Sequence, residues 1–89
     1  MTIRVEKSGN GAYQVTVENG STTQHTVTVT TEYWQRLTGG RVPAETLLEK
    51  SFEFLLERES NTSILRSFDV PIIQRYFPEY ERTIGKSLP

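Results

Sequence analysis

Between Ile3 and Thr30 the chain alternates apolar and polar residues in three runs, and the parity of one turn decides whether they share a face. Ile3 and Val5 alternate with Arg4 and Glu6; Tyr13, Val15 and Val17 with Gln14, Thr16 and Glu18; His25, Val27 and Val29 with Thr26, Thr28 and Thr30. Period two with β-branched residues is the pattern of half-buried strands. Gly9-Asn10-Gly11 and Asn19-Gly20 separate the runs with residues that tolerate positive φ, as tight hairpins require. A two-residue loop at Asn19-Gly20 sets Glu18 opposite Ser21 and sends the valines of the second and third runs to opposite faces. An odd loop, Asn19-Gly20-Ser21, pairs Tyr13 with Val27 and Val15 with His25 and keeps the valines together. The pattern therefore predicts a three-residue loop with a bulge, or a longer odd one. The product is a three-stranded antiparallel meander with one apolar face.

Helical signals follow. Thr31 is placed to cap a short helix from Glu32 to Leu37, which Gly39-Gly40 ends. In VPAETLLEKSFEFLLERE, Pro43 suits a first helical turn and Glu45 complements the helix dipole there. Leu47, Leu48, Phe52, Phe54, Leu55 and Leu56 spread over about 200° of that helix, roughly twice what a surface helix needs. It should be covered on two sides, by the sheet and by the tail or a second subunit. Ser60-Asn61-Thr62 breaks the helix, with Asn61 or Thr62 capping a short turn from Ser63 to Arg66. Asp69 ahead of Pro71 marks another start, and Pro78 restarts the chain as a last short helix. Gly85 and Pro89 predict fraying beyond Ile84. Strands followed by helices indicate the α+β class: a three-stranded antiparallel β-meander, a short helix, a long central helix and a short-helical C-terminal tail. Ile3, Val5, Tyr13, Val15, Val17, Val27 and Val29 should pack on Leu48, Phe52 and Leu55. Leu65, Phe68, Ile73 and Phe77 should cover the remaining flank.

Composition narrows the chemistry. At 89 residues the chain reads as a single domain, 1–89, whose small core gains from dense packing or a partner. It has no cysteine, so it holds no disulfide and no thiolate nucleophile. A net charge of −1 gives no global attraction to nucleic acid or anionic lipid. No apolar run approaches the roughly 20 residues of a membrane span, and MTIRVEKSGN lacks a signal-peptide core. The expectation is a cytoplasmic protein with no membrane partner.

Two charged constellations stand out. Arg66, Arg75 and Arg82 with Tyr76 and Tyr80 form a possible binding surface, combining cations for phosphate with rings for stacking. Asp69, Glu79 and Glu81 lie among them and nearly cancel the charge, and the rings recur at helical spacing with Ile64, Leu65, Ile72 and Ile73. The rings therefore read mainly as core and the arginines as rim. Glu45, Glu49, Glu53 and Glu57 repeat at i, i+4, a possible acidic partner face along which arginines of the tail, or of a basic partner, could pack.

Catalytic signatures are missing. His25, the single histidine, falls on the valine face. Asp69 is the single aspartate, and Ser51, Ser60, Ser63 and Ser67 lack the context of an activated nucleophile. Gly39-Gly40 lacks the lysine and hydroxyl residue of a phosphate loop. Nothing resembles a calcium loop. No catalytic residue, metal site or cofactor is expected.

Two resemblances add to this reading. FEFLLERE (52–59), SILRSFD (63–69) and IIQRYFPEYE (72–81) resemble a group of small uncharacterised prokaryotic proteins. That group has no assigned activity, so no functional residue carries over. HTVTVTTEYWQRLTGGRVPAETLLEKSFEFLLERE is similar to ribbon-helix-helix DNA-binding proteins, which pair one strand from each of two chains and lay that ribbon in the major groove. The resemblance implies groove-facing Thr26, Thr28 and Thr30, with the long helix as dimer core. The ribbon has no arginine or lysine, and the long helix is acidic. The function expected is a non-enzymatic protein-binding or regulatory domain, its partner a protein (self or other), with a homodimer possible. The alternative is a ribbon-helix-helix regulator binding nucleic acid.

Overall fold

The second hairpin obeys the parity argument. In the computed structural model, which describes residues 1–88, β1 (Thr2–Gly9), β2 (Ala12–Asn19) and β3 (Ser21–Thr28) form an antiparallel meander. Tyr13 faces Val27, Val15 faces His25, and Asn19 faces Ser21 across Gly20. Gly20 turns the chain at φ 83°. The bulge expected at this turn sits instead in the first hairpin, where the register shifts between Lys7 and Gly9. With the parity fixed, Tyr13, Val15, Val17, Thr23, His25, Val27 and Val29 are all buried.

The sheet has four strands rather than the three expected, and it is mixed. β4 (Ser67–Asp69) runs parallel to β3, giving the order β1-β2-β3-β4. Three residues with one apolar side chain, Phe68, are too short to show a period. Non-local bonds position them: the Thr26 N–H donates to the Arg66 carbonyl at 2.8 Å, and the Val70 N–H to the Thr28 carbonyl at 2.9 Å. Parallel neighbours require a long crossover. Here it carries α1 (Thr31–Thr38) and α2 (Ala44–Leu56).

Each helix end has a local cause. Thr30, one residue before the predicted cap, accepts the Tyr33 N–H on its hydroxyl at 3.1 Å. Gly39 closes α1 at φ 66°. Pro43 precedes α2, and Glu45 sits in its first turn. α2 is 13 residues long, and a 3-10 turn at Asn61–Ser63 follows it. The tail adds α3 (Ile72–Tyr76) and α4 (Tyr80–Ser87). α4 continues past Ile84, where fraying was expected; Pro89 lies outside the described residues.

α2 is covered on two sides by its own chain. Towards the sheet, the Phe52 ring meets His25 with centroids 5.3 Å apart. Towards the tail, Phe54 meets Tyr80 at 5.3 Å and Phe77 at 5.9 Å, both edge-on. Burying each such ring contributes about 1.5–3 kcal/mol. Of the four tail residues expected to cover α2, Ile73, Phe68 and Phe77 pack on the core and Leu65 does not. Ile64, Val70, Ile73, Tyr80 and Ile84 are buried, Phe68 and Phe77 are half-buried, and Leu65 is exposed.

Candidate functional site

Where α2 gives way to the tail, an apolar groove of about 310 Å³ opens. Leu55 near the end of α2 and Glu59 just beyond it form one side, Ile64 and Leu65 the base, and Ile72, Tyr76 and Phe77 the far wall. The only large apolar side chains exposed among the described residues are Met1, Leu65 and Tyr76. Leu65 (49% exposed) and Tyr76 (65% exposed) both lie on this groove. Partial burial pushes the Glu59 carboxyl above its usual range. None of the ion pairs among the described residues includes it. The groove therefore offers apolar surface with one uncompensated carboxylate.

A buried polar network holds the groove's base. The His25 Nδ1–H donates to the Leu65 carbonyl at 2.8 Å, which leaves Nε2 to accept the Thr23 hydroxyl at 2.9 Å. Asn61 Nδ2 donates to Thr23 Oγ1 at 3.1 Å and to the Ser21 carbonyl at 3.0 Å. His25 is fully buried, and both ring nitrogens are engaged. Burial lowers its pKa, and Arg66 lowers it further, against the opposing bond to Leu65. The network joins the post-α2 segment to β3 and sends alternate side chains of that segment opposite ways: Ile64 inward, Leu65 outward.

The predicted binding surface does not hold together as a set. Arg66, Arg75, Tyr76 and Arg82 are exposed, but Tyr80 is fully buried. Its hydroxyl lies 2.6 Å from Ser51 Oγ. Ser51 already donates to the Leu47 carbonyl at 2.7 Å, so Tyr80 is the donor of the pair. Burial raises the Tyr80 pKa. Of the predicted set, only Tyr76 lines the groove.

The acidic face is likewise arranged differently from the expectation. Glu49 and Glu57 are exposed, and Glu45 and Glu53 are half-exposed. Glu53 pairs with Lys50 at 3.6 Å and Glu57 with Arg58 at 3.3 Å. The ties between helices and tail have the reverse polarity to the one expected. Arg36 of α1 forks onto Glu81 with both contacts at 3.2 Å, and the Tyr33 hydroxyl donates to the same carboxylate at 2.8 Å. Arg58 reaches Glu79 at 3.2 Å with its guanidinium 3.6 Å above the Phe54 ring. The bond from Arg36 holds the Glu81 carboxyl below its usual range.

A second depression of about 710 Å³ lies among Lys7, Asn10, Tyr13, Thr28, Trp34 and Asp69. Thr28 Oγ1 is buried there without a partner among the described residues. Over Thr26–Thr28, where a DNA-reading ribbon would place its threonines, β3 has both edges taken: β2 lines one, while β4 and Arg66 line the other. Among the described residues no three His, Asp or Glu side chains cluster as metal ligands, and no helix is long and apolar enough to cross a membrane. No family model, curated protein or solved structure matches the chain.

Proposed function

We propose that this chain is a non-enzymatic protein-binding domain whose site is the groove between α2, the 63–68 segment and α3. The observation that carries this reading is the placement of Leu65 and Tyr76, both exposed and both on one apolar groove. Large apolar side chains gathered at one concavity are the usual mark of an interaction site. The occupant is an apolar segment of another protein that presents a lysine or arginine to Glu59. That cation supplies what the half-buried carboxylate lacks within the chain. The ribbon-helix-helix alternative is less favoured, because it needs a free strand edge at Thr26 and Thr28, and β4 occupies that edge.

Selection from a random peptide display library tests the proposal. The expected winners carry aliphatic or aromatic residues with one basic residue. Their binding should be lost in Leu65→Asp and Tyr76→Asp, both surface changes compatible with folding. No enrichment, or winners indifferent to both variants, would overturn the assignment.

A further inference from the structure

β1 lies at one end of the sheet, and among the described residues nothing pairs with its outer edge. An eight-residue open edge is a template for another strand. Proteins commonly block such edges with charge, and β1 carries Arg4 and Glu6, both exposed. A block against self-pairing would use one sign at both positions. Here the signs are opposite, two residues apart, on the same face of the strand.

That arrangement selects a partner. Two copies of one strand pair antiparallel about a two-fold axis normal to the sheet, which puts a residue of each copy opposite itself. Residues that face one another must share a face, so the axis passes through a residue position. An axis at Arg4 opposes two guanidinium groups, and an axis at Glu6 opposes two carboxylates. An axis at Val5 sets Arg4 opposite Glu6 of the second copy, and Glu6 opposite its Arg4. On the other face Val5 meets Val5 and Ile3 meets the stem of Lys7. Ile3 and Val5 are only half-buried within one chain, packed at the margin of the core. A second copy there would extend their apolar cover.

We propose that the chain dimerises through β1, antiparallel and centred on Val5, to form a continuous eight-stranded sheet. The occupant of the edge is a second copy, selected by the Arg4/Glu6 complementarity. The proposal does not depend on the groove, which lies at the opposite end of the strand order.

Sedimentation equilibrium at low ionic strength tests it with four proteins: wild type, Arg4→Glu, Glu6→Arg and the double swap. The wild type should show a concentration-dependent dimer. Each single change turns two attractive cross-strand pairs repulsive and should weaken association about tenfold or more. The double swap should restore it. Mixing the two single variants should give a heterodimer tighter than either homodimer. Circular dichroism checks that each variant is folded. Amide exchange on the wild type gives a reading free of mutation: protection gained at high concentration should fall within residues 2–9. A monomer at every concentration overturns the proposal. So does a dimer that the single changes leave intact or the double swap fails to restore, or protection gained elsewhere.

Discussion

The Tyr80 hydroxyl donates to Ser51 Oγ at 2.6 Å in a fully buried position, while Ser51 donates in turn to the Leu47 carbonyl. The direction of this relay makes the two residues unequal. Tyr80→Phe removes a donor, and Ser51 keeps its own partner; the expected cost is about 0.5–1.5 kcal/mol. Ser51→Ala leaves the Tyr80 hydroxyl buried without an acceptor, at about 1–3 kcal/mol. The double variant should lie below the sum of the two, because the orphaned hydroxyl is gone. Urea unfolding of the three proteins measures this. A larger loss for Tyr80→Phe than for Ser51→Ala would reverse the assigned direction.

His25 gives stability a specific pH dependence. Its folded-state pKa lies below the ordinary 6.5, first because burial penalises the charged ring and then because Arg66 is near. The unfolded chain therefore takes up this proton first as pH falls. The stability tied to the neutral ring is complete above about pH 6.5 and declines as pH drops towards the folded-state pKa. Depressed carboxylates such as Glu79 and Glu81 act lower, below about pH 4.5. Urea midpoints between pH 7.5 and 5 should fall for the wild type and stay flatter for His25→Gln. Equal slopes would place the titrating group elsewhere.

Much of the sheet was legible because period two and turn parity are local properties. The Tyr13–Val27 pairing and the burial of His25 on the valine face follow from them. β4 was not legible: SFD has no period to read, and its place depends on β3 and the crossover. Tyr80 illustrates the limit for sites. An aromatic residue near arginines looks the same in sequence whether it stacks outward or lies beneath Ser51. A serine amid Leu47, Leu48, Phe52 and Leu55 was the available signal for a buried hydroxyl partner. Leu65 failed in the other direction. It reads as core, yet the bond from His25 to its carbonyl fixes an extended segment that puts Ile64 inside and Leu65 outside. The reversed ion pairs, from Arg36 of α1 and Arg58 just after α2 to tail glutamates, rest on packing that no spacing rule encodes.

Glu59 separates stability from binding. Its folded-state pKa is raised by burial, so the charged form is disfavoured by folding at neutral pH. Glu59→Gln should raise the melting temperature at pH 7. The gap from wild type should close below about pH 4.5, where the carboxyl is protonated in both folded and unfolded states. The same change should weaken any basic peptide selected on the groove. Thermal melts at pH 7 and pH 4 read the first effect. A lower melting temperature at pH 7 would mean that Glu59 has a stabilising partner, and the cation assigned to the ligand would lose its basis.

Gly11 and Gly20 both have positive φ, 67° and 83°, and both turn hairpins, yet they should differ in tolerance. A β-carbon on Gly11 would lie 2.9 Å from the Val29 carbonyl oxygen, which is backbone and cannot swing aside. The Gly11 carbonyl also accepts the Val29 N–H at 2.9 Å, so moving the turn away breaks a bond. A β-carbon on Gly20 meets nothing within 4 Å. Gly20→Ala should therefore cost only the left-handed backbone strain, about 1–2 kcal/mol. Gly20→Asn should cost less, since asparagine visits that region readily. Gly11→Ala should exceed both, because it adds a clash and loosens the link between the first hairpin and the strand entering α1. Equal urea midpoints for the two alanine variants would mean that the first hairpin yields without cost and that Val29 is held by its side chain alone.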